Sequence, residues 1–445
     1  VTTGPGERSL HPIREQTGAQ LRDLAIWLGL VLIGLLTAAL AVAYADDLGT
    51  AAAPFFGRYR IAIKPESILA PLIAAAVVYT ASRPRLTRVR WPAILGLAYI
   101  SALAWTLALA LLDGKDGLRN PLAGTDGYLP NLSNVDGPGD FLATFTSLDD
   151  QLTAASVGHP PGPLLLLALL TPLLGTGLGL GITLTALSTL TVPLTLITAK
   201  NAVGEPAARR YAPLLILAPY AIWVAVSMDG ITATILAATM AAGAHASRRT
   251  TRGIPAITWA LTAGLLLGAA TMFSYAAAWM GLSLVFLNFA RRRPFHNIAT
   301  GLGALTPLLL AQLIGFNWMT GLRMAYHDYT NRIEYQRPGL WWAALSLVVL
   351  IIVTGPAIVA SARKMRNTPG WPFLIGATAA VIFSIAAGLT RGGVEHAWLP
   401  LFPWLTLAAT APATPGGPPG RLPLLLAATG AATGIIVEAV LLSPW

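Results

Sequence analysis

Apolar residues run in blocks of roughly 15 to 23 along nearly the whole chain, close to the ~20 residues that carry a helix across a hydrocarbon core. Polar residues gather in the breaks between blocks. The pattern predicts spans near 24–45, 67–82, 92–112, 178–199, 211–227, 230–246, 255–272, 273–290, 298–316, 339–361, 371–389, 397–411 and 422–442, about thirteen crossings in all. A shorter run, Leu164 to Leu174, lies between Pro160-Pro161 and Gly175-Thr176-Gly177. It predicts a juxtamembrane or re-entrant helix, which is tolerated where protein or a wet cavity surrounds the backbone. The expected class is an all-α polytopic membrane protein. Val1–Gln20 is polar and reads as a disordered cytoplasmic tail, and residues 21–445 read as a single transmembrane domain. Pro412–Gly420 is a Pro/Gly-rich connector before the last span. Outer loops are expected at 113–162, 316–338 and 390–398.

Composition supports this class. Of 445 residues 55% are hydrophobic and 11% charged, which excludes an ordinary soluble globule. With no Cys, disulfides, thiolate metal sites and Cys nucleophiles are excluded. The net charge of +10 changes meaning once its distribution is followed. With the N-terminus inside, the clusters Arg8, Arg14, Arg22; Arg83, Arg85, Arg88, Arg90; Lys200, Arg209, Arg210; Arg248, Arg249, Arg252; Arg291, Arg292, Arg293; Arg363, Lys364, Arg366; and Arg421 all fall on the cytoplasmic side. Most of the 19 acids then face outward. The basic excess is topology and implies no nucleic-acid partner. The map requires one crossing between His159 and Lys200, so Leu164 to Leu174 is expected not to cross. The expected location is a multi-pass plasma-membrane protein, N-terminus cytoplasmic, with its chemistry on the outer face.

Candidate chemistry lies in the outer loops. The first, Asp113 to Pro161, holds seven Asp residues and ends in His159-Pro160-Pro161-Gly162. Asp113 follows an apolar helix directly, and an acid at the membrane edge is a functional candidate by default. It can serve as a general base toward a hydroxyl, or it simply ends the helix in a wet turn. Asp116 stands next to it, and Asp126, Asp136, Asp140, Asp149 and Asp150 follow, mostly read as solvated. Phe141, Leu142, Phe145 and Leu148 suit a short amphipathic helix lying on the membrane. The two prolines fix the backbone at a helix start and present His159 at a defined place, either toward a phosphate or sugar or as a structural cap. The second loop is dense in Arg323, Tyr326, Tyr329, Arg332 and Arg337. Arginine pairs with phosphate through its planar fork, and Tyr also favours the headgroup belt. Three outer arginines run against the positive-inside trend. The third loop carries Glu395 and His396 side by side, where Glu395 either lines a site or neutralises Arg391 or Arg337. Asp46, Asp47 and Asp229 are further outer acids. No metal or nucleotide motif is present: HExxH, a Walker loop and a strand-to-helix GxGxxG are all lacking. No cofactor is required by the sequence, although paired outer carboxylates could hold Mg, Mn or Ca.

From about Trp91 to Trp404 the arrangement resembles the GT-C superfamily, the multi-spanning glycosyltransferases that use polyprenyl-phosphate sugars. The residues that carry the resemblance are Asp113 after an outgoing helix, the long outer loop with its juxtamembrane helix, His159-Pro160-Pro161-Gly162, the loop Phe316 to Pro338, and Glu395-His396-Ala397-Trp398-Leu399-Pro400. The Gly- and Ala-rich spans and Pro-rich connectors look like those of actinobacterial members. The resemblance implies an inverting transfer of a sugar, arabinofuranose or mannose, from a polyprenyl-phosphate donor to a cell-envelope glycan or glycolipid at the outer face. By that analogy Asp113 is the first choice as base and Asp116 the second, Arg323, Arg332 and Arg337 hold the donor phosphate, and His159 and Glu395 line the pocket. The paired acids of some members map instead to Asp46 and Asp47. Two rivals stand beside it, a transporter or flippase of lipid-linked sugars and a non-catalytic scaffold of envelope synthesis. Transport predicts charged or broken helices near the midplane, whereas the spans here are nearly free of ionisable residues apart from Glu438 and His245.

Overall fold

A computed structural model describes residues 7–119, 121–415, 417 and 422–443, with side chains from residue 18 onward other than 333 and 334. Residues 1–6 of the expected tail, part of the Pro/Gly-rich connector and Arg421 fall outside the described residues, as do the side chains of Arg8, Arg14 and Glu334. The helices that matter below are α1 (Glu7–Tyr44), α2 (Leu69–Ser82), α3 (Trp91–Ala110), α4 (Pro138–Thr144), α5 (Gly162–Leu174), α6 (Leu178–Thr189), α7 (Thr191–Val203) and α8 (Glu205–Ile216). They continue as α9 (Met228–Ala246), α10 (Ile254–Thr271), α11 (Met280–Ala290), α12 (His296–Ile314) and α13 (Trp318–Asn331). The last are α14 (Gly339–Thr354), α15 (Ala357–Lys364), α16 (Trp371–Ala386), α17 (Val394–Ala397) and α18 (Leu424–Val440). The chain is thus helical and polytopic, as its apolar blocks require. α1 is already helical at Glu7, so the segment read as a disordered tail is largely the start of the first helix.

The span count differs from thirteen. Among the described residues six helices are long and apolar enough to cross a membrane, α1, α3, α10 and α12 among them, with α14 and α15 as a seventh if a bent pair is one span. α5, α16, α18 and the Tyr275–Ala290 helix are apolar but shorter. The missing spans break where backbone chemistry breaks them. The block 339–361 turns by 100° at Gly355-Pro356, where Gly355 takes φ +62 and Pro356 offers no N–H to continue the ladder. The block 211–227 stops at Ile216, and Pro219 opens a 3-10 turn to Val224. The block 397–411 holds only the four-residue helix Phe402–Leu405 and a 3-10 turn. α5 rises about 20 Å at 1.5 Å per residue, short of the ~30 Å core, and ends at Gly175 with φ +69.

Packing sorts the helices into lipid-facing and central. α12 leaves Leu302, Leu305, Leu309 and Leu313 exposed along one side, as expected of a helix solvated by lipid tails. Its other side meets α10 at close range: a Cβ on Gly264 would lie 2.0 Å from the Thr300 carbonyl oxygen, and one on Gly303 2.3 Å from that of Leu261. Two small residues let the backbones touch, which substitutes for the hydrophobic driving force that lipid removes. α9, rich in Ala, Gly and Thr, is buried along nearly its whole length and packs on α6, α7 and α10. It is the central post of the bundle, and its N-terminal turn carries Asp229.

Candidate functional site

The acidic loop between α3 and α5 is a folded unit with its own core. Phe141, Phe145, Leu152, Val157 and Tyr128 are buried together with Phe316, and Phe145 meets Phe316 edge-on at 5.6 Å between ring centres. The α4 segment expected to lie on the membrane therefore turns its apolar face into the protein. Asp116, Asp126, Asp136, Asp140, Asp149 and Asp150 point outward and are exposed. Asn131 pins the loop: it accepts the Thr153 N–H at 2.8 Å and donates to the Gln151 carbonyl at 2.9 Å. The ensuing His-Pro-Pro-Gly has a packing reason as well. Gly162 donates its N–H to the Met272 carbonyl at 2.8 Å, and any Cβ there would fall 2.3 Å from that oxygen.

These contacts deliver His159 to Asp229. Ser227 caps α9 by accepting from the Gly230 N–H at 3.2 Å, and Asp229 sits in that first turn, where the helix dipole favours a carboxylate. Asp229 Oδ2 lies 2.9 Å from His396 Nδ1, and Oδ1 lies 3.9 Å from His159 Nε2. Tyr128 packs edge-on against the His159 ring at 5.8 Å. His159 Nδ1 stands 2.8 Å from the Ala155 carbonyl oxygen, which can only accept. With one ring nitrogen against a carbonyl and the other toward a carboxylate, the imidazole is best served when both carry protons. Burial alone would lower its pKa, but the Asp229 carboxylate and the Ala155 carbonyl outweigh burial and raise it above the ordinary value. His396 meets the same carboxylate through Nδ1.

A second charge cluster stands on the α3 side. Arg60 grips Asp113 with both ends of its guanidinium, one contact at 3.1 Å, and reaches the Glu438 carboxylate at 3.4 Å. The segment around Arg60 is laid along the end of α18: Arg58–Tyr59 pairs antiparallel with Leu441–Leu442, and the Arg60 N–H donates to the Val440 carbonyl at 2.8 Å. Asp113, expected as the first choice of base, is therefore paired with a permanent cation.

The remaining residues join the loops. Glu395 is buried and accepts the Phe56 N–H at 3.2 Å. The Arg337 guanidinium lies over the Phe56 ring at 4.6 Å and donates to the Arg391 carbonyl at 2.8 Å. Arg391 in turn stacks on Tyr335 at 4.0 Å, and its N–H donates to the Tyr329 hydroxyl at 3.3 Å. The segment expected as the outer loop 316–338 is mostly the helix α13. On it Arg332 pairs with Asp328 one turn earlier, while Arg323 and Tyr326 are exposed. α13 packs on the short turn 154–157 that precedes His159. Asp46 and Asp47 are exposed, and Asp47 accepts the Gly49 N–H at 2.7 Å. Thus the structure brings His159, Asp229 and His396 together, while Glu395 and Arg337 both turn to Phe56. Asp46, Asp47, Asp116 and Asp126 remain apart at the surface. Among the described residues no group of three or more His, Asp or Glu has an arrangement suited to a metal ion.

Two solved structures are similar to this chain. Both are of ArnT from Cupriavidus metallidurans, one in the apo state and one bound to undecaprenyl phosphate. The first is 16% identical with a TM-score of 0.41, covering 61% of this chain and 54% of that one. The second is 16% identical with a TM-score of 0.47, covering 70% of this chain and 59% of that one. This chain therefore matches less than two thirds of either. No family model and no curated protein matches it.

Arg60 and Phe56 were missed by sequence reasoning. Arg60 gave a usable signal, because it is a further arginine in a segment mapped to the outer side, against the positive-inside trend that drew attention to Arg323, Arg332 and Arg337.

Proposed function

We propose that the chain is a membrane glycosyltransferase that moves a sugar from a polyprenyl-phosphate donor to a glycan or glycolipid acceptor at the outer membrane face, with Asp229, His396 and His159 as its acid–base centre. The observation that carries the reading is the convergence of a helix-start histidine and a turn histidine on one buried carboxylate at the end of the central helix. Polarity of the loops supports the outward orientation, since the basic clusters gather at the opposite helix ends. A sugar such as arabinofuranose or mannose fits the motif resemblance.

In the proposed reaction an acceptor hydroxyl gives its proton to the His396 imidazole, oriented at Nδ1 by Asp229. The freed oxygen attacks the anomeric carbon from the side opposite the phosphate. The bond from that carbon to the phosphate oxygen breaks, its electron pair leaves with the polyprenyl phosphate, and configuration inverts. Asp229 offsets the imidazolium that forms, as the carboxylate does in other His–carboxylate pairs. Arg323, exposed on α13, is the arginine of that helix best placed to meet a phosphate entering from lipid, since Arg332 is occupied by Asp328.

A second reading keeps Asp113 as base, because its side chain is 26% exposed against 10% for Asp229. It requires Arg60 to release the carboxylate in the substrate complex. Purified protein in nanodiscs, supplied with radiolabelled polyprenyl-phosphate sugars, tests the function itself. Consumption of donor with release of polyprenyl phosphate is the expected result; movement of intact donor between leaflets would establish a flippase, and binding without either would establish a scaffold.

A further inference from the structure

The far end of α9 from Asp229 opens into a second, chemically opposite site. Ser247, the C-cap of α9, lines a cavity of about 440 Å³ together with Arg249, Arg291, Arg292 and Trp371. Ser247 lies eighteen positions beyond Asp229 along α9, about 27 Å at 1.5 Å per residue. No acid lines the cavity, and among the described residues none pairs with Arg249, Arg291 or Arg292.

Arg291 and the turn beside it are held in place. Arg291 is anchored by the last carbonyls of α7, donating to Ala202 at 3.0 Å. Arg293 ties the neighbouring turn down by donating to the Thr251 carbonyl at 2.9 Å. Burial first, and the adjacent Arg249 charge second, push the Arg291 guanidinium below its ordinary pKa. Like charges have thus been brought together without a protein counter-ion. Arg292 adds a second sign: it occupies a left-handed position, φ +56, just past the end of α11. Glycine would hold that position without strain. Beside the cavity Phe286 meets Trp371 edge-on at 6.1 Å, and Phe289 and Trp371 are exposed.

We infer that this cavity binds the phosphate of an anionic membrane phospholipid, with Arg249, Arg291 and Arg292 around the headgroup and the exposed aromatic side chains along its acyl chains. Basic pockets between helices at a membrane surface recognise anionic headgroups in this way. The inference stands on its own and does not depend on glycosyl transfer.

Native mass spectrometry of the full chain with added lipid tests it. Phosphatidylglycerol should be retained about 30-fold more tightly than phosphatidylcholine, and the double variant Arg249→Gln/Arg292→Gly should lose most of that preference, as two surface arginines contribute roughly that factor. Glycine suits the left-handed turn, so the variant is expected to keep its elution profile and unfolding temperature. Inorganic phosphate at millimolar concentration should leave the lipid bound. Equal retention of the two lipids, or an unchanged preference in the variant, overturns the inference. Displacement by free phosphate overturns the lipid assignment in favour of a soluble phosphate ligand.

Discussion

Two acids near helix ends have opposite surroundings. Asp113 is locked to Arg60, with Glu438 on the same guanidinium. Asp229 lies between two imidazoles. An arginine keeps its proton at any physiological pH, so Arg60 can hold Asp113 in place but cannot take a proton from it. Histidine takes and gives protons near neutrality, so the Asp229 cluster can do chemistry. The difference teaches that depth and acidity do not identify a working carboxylate. The nature of its partner does.

The comparison breaks most sharply at His396. His396→Ala removes the proposed proton acceptor and should lower sugar transfer by about 10²–10³-fold, the usual scale for a general base, with donor binding nearly unchanged. A loss below 10-fold in folded protein would move the chemistry elsewhere. Next comes Arg60. Arg60→Ala leaves Asp113 and Glu438 facing each other without a cation, and because the group is partly solvated the cost should be about 2–3 kcal/mol, read as a lowered unfolding temperature. If stability is unchanged, the cluster has no structural role and Asp113 regains its claim.

The smallest effect is in His159 and depends on pH. Its pKa is raised in the folded protein. The stabilisation from its charged contact with Asp229 is therefore complete below the ordinary value of 6.5 and lost as pH rises through the folded-state value. The difference in unfolding temperature between wild type and His159→Gln should be largest in mild acid and shrink toward alkaline pH. A difference that grows with pH would show that His159 is held neutral.

Much of the fold was legible because a membrane imposes a simple code. The apolar blocks located most helices, and the two prolines after His159 marked a helix start that the structure places at Gly162. Breaks inside blocks were harder to see: Gly355-Pro356 and Pro219 interrupt runs whose hydropathy is continuous. The loop's aromatic residues were read as lipid-facing because their pattern fits any apolar partner, and only the tertiary fold supplies Phe316 as that partner. The site was legible in parts. His159, Asp229 and His396 were each singled out, but their meeting joins residues 167 positions apart, and nothing local in the sequence encodes it. Asp113 drew attention by its place after α3, while the Arg60 that neutralises it comes from a separate segment.

The most direct test sets the two acids against each other in one assay. Asp229→Asn and Asp113→Asn, each purified and confirmed folded, would be compared with wild type for single-turnover consumption of a polyprenyl-phosphate sugar. The account predicts a loss of about 10²-fold or more for Asp229→Asn and less than about 10-fold for Asp113→Asn. The reverse order would contradict it and assign the base to Asp113.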